Sequence, residues 1–94
     1  MTNPNEIPRF SIRIADSKDA ETIALFNINM AAETENKRLP RETILAGVRN
    51  LMRQPQYGFY LVAESAGSII GCLLITYEWS DWRNSIFWWI QSVY

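Results

Sequence analysis

The sequence has no histidine and one cysteine, Cys72. Without histidine the usual zinc ligand sets cannot be assembled, and one cysteine cannot form an internal disulfide. A metal-free, cytosolic protein is expected. Basic charge is not in excess either: nine Lys and Arg stand against ten Asp and Glu, a net charge of −1, and no basic stripe is present to neutralise a phosphate backbone. Nucleic acid is therefore not an expected partner. Long apolar runs are also missing. The longest, Ile69 to Thr76, includes a glycine and a cysteine and is far short of the ~18 residues a membrane span needs. The opening MTNPNEIPRF lacks the apolar stretch of a signal peptide, so residues 1–8 are expected to be a disordered lead-in.

What is present is a small folding unit. Hydrophobic residues make up 48% of the 94 and charged residues 20%, the balance of a globular domain rather than a disordered tail. At this size roughly 60–65% of the unfolded surface is buried on folding, so each buried strand matters.

Residues 9–15, RFSIRIA, alternate Phe10, Ile12 and Ile14 with Arg9, Ser11 and Arg13, which predicts a strand with one wet face. Asp16 and Ser17 are capping candidates for a helix over DSKDAETIALFNINMAAE, with Asp19 and Glu21 in its first turn, where the helix dipole favours negative charge. Its inward stripe reads Ile23, Phe26 and Met30. TENKRL, 34–39, breaks the pattern as a loop. Pro40 then suits the first position of a second helix carrying Ile44, Leu45, Val48, Leu51 and Met52, which stops before Pro55. GFYLVAES (58–65), the turn Ala66-Gly67 and SIIGCLLITYEW (68–79) form a hairpin. After the turn SDWRN (80–84) a last strand, SIFWWIQSVY (85–94), carries Ile86, Trp88, Ile90 and Tyr94 on one face and Phe87, Trp89 and Val93 on the other. Apolar on both faces, it reads as a central, buried strand.

The layout is α+β, in the order β1-α1-α2-β2-β3-β4. With FSIRIADSKDAETIALF at the front and YGFYLVAESAGSIIGCLLI leading into FWWIQSVY, residues 9–94 resemble the N-terminal half of the Gcn5-related N-acetyltransferases, the GNAT family. The resemblance implies a GNAT-like mixed sheet, cut off before the loop that opens the third helix and holds the acetyl-CoA pyrophosphate. It also implies acetyl transfer from acetyl-CoA to a primary amine, on a small molecule or a peptide, once a C-terminal half is supplied. Residues 1–94 alone are expected to be inactive. The resemblance carries Ser92, Val93 and Tyr94 over as the strand end whose backbone holds the pantetheine arm and polarises the thioester.

Transfer to an amine needs a base, and the terminal strand offers Gln91 but no acid. Glu78 near the end of the third strand, and Glu33 and Glu35 in the loop between the helices on the acceptor side, are the nearest carboxylates by topology. Each of these glutamates also reads as an ordinary solvated charge. Trp88 and Trp89, which point to opposite faces, are expected in the core, Trp79 and Trp82 at an exposed turn, and Cys72 as a small buried hydrophobe. The alternative function is a non-catalytic, shortened GNAT-like module whose apolar terminal edge pairs with a partner or a second copy.

Overall fold

The computed structural model describes residues 9–94; the lead-in expected over 1–8 lies outside the described residues. Four antiparallel strands, β1 (Ser11–Ile14), β2 (Gly58–Ser65), β3 (Ser68–Ser80) and β4 (Ser85–Val93), lie side by side in chain order. Between β1 and β2 the chain makes a 3₁₀ turn, Ser17–Asp19, and two helices, α1 (Ala20–Glu35) and α2 (Arg41–Met52). Among the described residues no helix is long and apolar enough to cross a membrane.

Local chemistry sets the element ends. The Asp16 side chain accepts from the Lys18 amide at 3.1 Å, and Asp19 accepts from the Asp16 amide at 2.9 Å, a reciprocal cap on the entry to α1. Asn36 ends α1 in the left-handed region, φ 51° and ψ 37°, a conformation an asparagine tolerates better than most side chains. The helix therefore extends through Glu35 and takes in Glu33 and Glu35, which the polar run placed in the loop. The Thr34 hydroxyl supports this last turn by donating to the Met30 carbonyl. Pro40 stands as the extended residue before α2, one position earlier than expected.

Both helices lie on one face of the sheet, where Ala20, Ile23 and Ala24 of α1 and Val48 of α2 bury Tyr60 and Val62 of β2 and Cys72 of β3. Each fully buried aliphatic side chain in this layer contributes about 1.5–3 kcal/mol. Cys72 is buried as expected, and burial pushes its thiol pKa up, so it is a packing residue rather than a nucleophile.

Among the described residues no helix or strand covers the opposite face of the sheet. β4 is an edge strand, not a central one: Trp88 is 65% exposed, Trp89 50% and Ile90 65%. The expectation that Trp88 and Trp89 are core residues fails because nothing among the described residues packs outside β4 or beneath the far face. Trp79 and Trp82 are exposed as expected.

The face assignment also needs correction. The β3–β4 pairing slips between Leu74 and Ile75, so that Ile90 pairs with Ile75 and Ser92 with Leu74, leaving Gln91 as the extra residue of a β-bulge. Ile86, Trp88, Ile90 and Val93 therefore share the far face, while Phe87, Trp89, Ser92 and Tyr94 share the helix face. A period-two count through Gln91 assigns Val93 and Tyr94 to the wrong sides.

Candidate functional site

The end of β4 meets the end of α1. Tyr94 and Cys72 exchange both backbone hydrogen bonds, at 2.9 and 3.0 Å. Because paired residues of an antiparallel ladder alternate between bonded and non-bonded positions, the N–H and C=O of Val93 point away from β3, toward the free edge. The bulge is pinned from the helix face by Gln91, whose side-chain amide donates to the Thr76 hydroxyl at 2.8 Å. The Tyr94 ring lies 5.2 Å from that of Phe26, and its hydroxyl donates to Glu33 Oε1 at 2.9 Å. One side chain thus ties the strand end to the last turns of α1.

The same face holds a second polar arrangement nearer β1. Arg13 donates two hydrogen bonds to the Asp19 carboxylate, at 2.6 and 2.9 Å, and a third from Nε to Glu64 at 2.7 Å. Asp19 is only 3% exposed. These bonds from Arg13 hold the Asp19 carboxyl below the usual carboxylate range, with burial working against them and the Asp16 amide helping. Both oxygens of this carboxylate are engaged in holding β1 and the 3₁₀ turn together, and Arg13 carries the link on to β2 through Glu64, so it is a structural pair and not a free base.

Neither a family model nor a curated protein matches the sequence. Solved structures do. A protein of Clostridium difficile 630, described as "a possible acetyltransferase", matches with a TM-score of 0.87 and 45% identity over 90% of this chain and 56% of its own. A GNAT family acetyltransferase of Staphylococcus aureus subsp. aureus USA300_TCH1516 shares the fold with a TM-score of 0.68 and 13% identity, over 89% of this chain and 60% of its own. The chain has the GNAT-like fold, in part. The chain spans a little over half the length of the solved structures it matches.

Within this GNAT-like fold the residues singled out from sequence fall into two groups. Glu33 and Tyr94, assigned separately to the acceptor and donor sides, are brought into direct contact. Ser92 and Val93 lie beside them. Glu35 sits one turn end away, 3.4 Å from Lys37, in an exposed pair. Glu78 is separated from all of these. It pairs with Phe87 whereas Ser92 pairs with Leu74, so it lies roughly 13 Å further along the strand at ~3.3 Å per residue. Gln91, the other catalytic candidate, has its amide engaged by Thr76 and serves the bulge. Of the three backbone candidates, Tyr94 has its amide committed to Cys72 and Val93 alone is shown here to face outward. Thr76 and Phe26 were missed; only their place on the helix face, fixed by pairing and helix crossing, reveals them.

The hydrogen bond to Glu33 raises the pKa of the Tyr94 phenol, and burial raises that of Tyr60. Raised values mean that the neutral phenols are favoured in the folded chain. Their contribution is complete below the ordinary value near ~10 and is lost as pH rises through the folded values. Ultraviolet titration of the phenolates should show the Tyr94 component ionising late, and Glu33→Gln should move it back down. A Tyr94 component that Glu33→Gln leaves in place would show that the contact does not persist in solution.

Proposed function

We propose that this chain forms the N-terminal part of an N-acetyltransferase that moves an acetyl group from acetyl-CoA to a primary amine. The observation that carries the reading is the outward-facing backbone of Val93 on the free edge of β4, beside the Tyr94–Glu33 contact, in a chain 45% identical to a protein described as "a possible acetyltransferase". Acetyl-CoA supplies the acyl group as a thioester. The residues present fit its pantetheine arm: an extended, uncharged edge with an unpaired donor and acceptor at Val93. Among the described residues no helix follows β4, so the pyrophosphate has no cradle within them, and activity belongs to the domain as a whole.

In this reading the Val93 amide donates to the thioester carbonyl oxygen, where negative charge develops. Glu33, oriented by the Tyr94 hydroxyl, would hold the incoming ammonium group by charge. The nitrogen attacks the thioester carbon as the free amine once its proton has passed to water, and the C–S bond breaks to release the CoA thiolate, which takes up a proton from water. Gln91 has no proton to exchange near neutral pH and acts on position alone, through the bulge. Glu78 is too distant to take part.

The test uses a complete domain containing this chain, assayed by release of the CoA thiol with a panel of primary amines. Val93→Pro removes the outward N–H at a site where an edge strand tolerates proline. It should lower kcat by 10²–10³-fold, the usual effect of losing one such donor, with an unchanged thermal midpoint. Glu33→Gln should raise KM for the amine, and Glu78→Gln should do neither. Residues 1–94 alone should show no turnover. Full activity in Val93→Pro would remove the proposed donor.

One observation favours a second reading, an interaction module. β4 carries no charged residue and no proline, the usual protections of an edge strand. A complete domain that never binds acetyl-CoA, together with a dimer of residues 1–94 in solution, would favour it.

A further inference from the structure

β3 and β4 run on beyond the rest of the sheet. β2 begins at Gly58, opposite Thr76, whereas β3 continues to Ser80 and pairs there with Ser85, the first residue of β4. Tyr77, at the root of this extension, still donates to the Tyr57 carbonyl at 3.4 Å. Residues 78–87 beyond it form a two-stranded arm, and none of them joins the core beneath the helices. A lone two-stranded hairpin is marginally stable in water. This one is apolar on both sides. Trp79 pairs with Ile86 on one side and Glu78 with Phe87 on the other, while Trp82 in the turn is 96% exposed. A layer laid against one face of the sheet would leave the other side of the arm in water, so what fits is a partner that clasps it.

Two observations point to a second copy of this chain as that partner. The first is area. At ~150–250 Å² for each aromatic side chain, Trp79, Trp82 and Phe87 leave roughly 400 Å² in water, and Ile86 adds to it. One side of a standard interface is ~800 Å², of which ~65% is apolar between identical chains, so the arm by itself provides most of the apolar part. The second is charge. Glu78 and Asp81 precede Trp82 and Arg83 follows it, and among the described residues none of the three is in an ion pair. Arg83 instead rests on the Phe87 ring, 5.3 Å from its centroid. A two-fold axis makes every contact between two copies reciprocal, so an arm bearing both signs is its own complement.

We propose that residues 78–87 are a dimerisation arm: two copies clasp arm to arm about a two-fold axis, with Trp79 and Trp82 of each packing on the hairpin of the other and Arg83 of each reaching the acidic residues of the other. The arm is remote from the outward backbone of Val93, which lies six residues past Phe87 on β4, about 20 Å at ~3.3 Å per residue. Dimer formation and acetyl transfer therefore fail or succeed separately.

The experiment is sedimentation of a complete domain containing this chain, across the micromolar range. A dimer is expected. Trp79→Ser combined with Trp82→Ser should weaken it at least about tenfold, the usual consequence of losing tryptophan anchors, without lowering the melting temperature of the monomer, since both side chains are exposed. Charge exchange gives a readout that misfolding does not imitate. Arg83→Glu makes one arm wholly acidic and Glu78→Lys with Asp81→Lys makes another wholly basic; each alone should be monomeric, and the two mixed should form a one-to-one heterodimer. A parent that stays monomeric, a dimer that the tryptophan changes leave intact, or a dimer that Val93→Pro dissociates would overturn the inference. Mixed charge variants that fail to pair, or a monomer that buries Trp82 in anionic lipid vesicles instead of dimerising, would overturn it as well.

Discussion

Replacing Gly58 with alanine is expected to cost about 3 kcal/mol, the upper range for forcing a methyl group into filled space, and to lower the melting temperature by roughly 15 °C in a domain of this size. Gly58 opens β2 and is buried against β3. A Cβ there would fall well inside contact distance of the Ile75 carbonyl oxygen, with the Ile75 carbonyl carbon and Thr76 Cα close behind. All three are backbone atoms of a paired strand, so no side chain can move aside. The start of β2 would have to lift from β3 and abandon the Gly58–Thr76 pairing. Gly47, inside α2, makes the contrast: a Cβ there meets nothing within 4 Å, and Gly47→Ala should stabilise the chain by about 0.5–1 kcal/mol through helix propensity. Thermal melts of the two variants beside the parent give opposite signs. A Gly58→Ala melt within a few degrees of the parent would mean that β2 does not approach β3 this closely.

Asp19→Ala is expected to cost up to about 3 kcal/mol, because Asp19 is buried and its loss leaves the partly exposed Arg13 guanidinium and the Asp16 amide without their charged acceptor. The substitution removes both Arg13 bonds and the acceptor for the Asp16 amide. Arg13 keeps Glu64, which holds the cost to the lower part of the range for buried pairs. Asp19→Asn retains an acceptor for the Asp16 amide and should fall between. The pH dependence follows from the lowered carboxyl pKa in the folded chain. The stability it contributes is present above the unfolded value near ~3.9 and is lost as pH falls through the lower folded value. Urea unfolding measured from pH 7 downward should therefore converge for the parent and Asp19→Asn below the ordinary carboxylate range. A gap between them that stays constant into strong acid would place the interaction elsewhere.

The two variants differ in how visible their causes are in the sequence. Asp19 was readable as a first-turn acid, since negative charge at a helix start is favoured wherever that helix packs. Its partner Arg13 was readable only as the wet side of a strand, yet it faces the helices and closes an ion pair under them. Gly58 reads as no more than the first residue of a strand. The need for glycine there arises from a carbonyl seventeen positions away in β3, which no local pattern encodes.

The candidate site divides in the same way. Glu33 and the Ser92–Tyr94 segment were found because the order of elements resembles a known family, and their contact arises because α1 crosses the sheet and ends over the last strand. Glu33 was placed in a loop because polar residues can continue a helix as readily as break it, until Asn36 supplies the left-handed turn that stops it. Gln91 offered the one hint of a bulge, a polar residue in an apolar strand, but a single amide does not reveal an interrupted ladder. From its own periodicities the sequence determined the elements, their order and the two hairpins, because these depend on spacing and turn chemistry within a few neighbouring residues. Tertiary structure alone decided which side of β4 faces the helices, that Val93 turns its amide outward, that Tyr94 meets Glu33, and that the β3–β4 hairpin runs on beyond β2. Those features depend on strand register and on how closely two backbones approach, and both are settled only when distant parts of the chain pair.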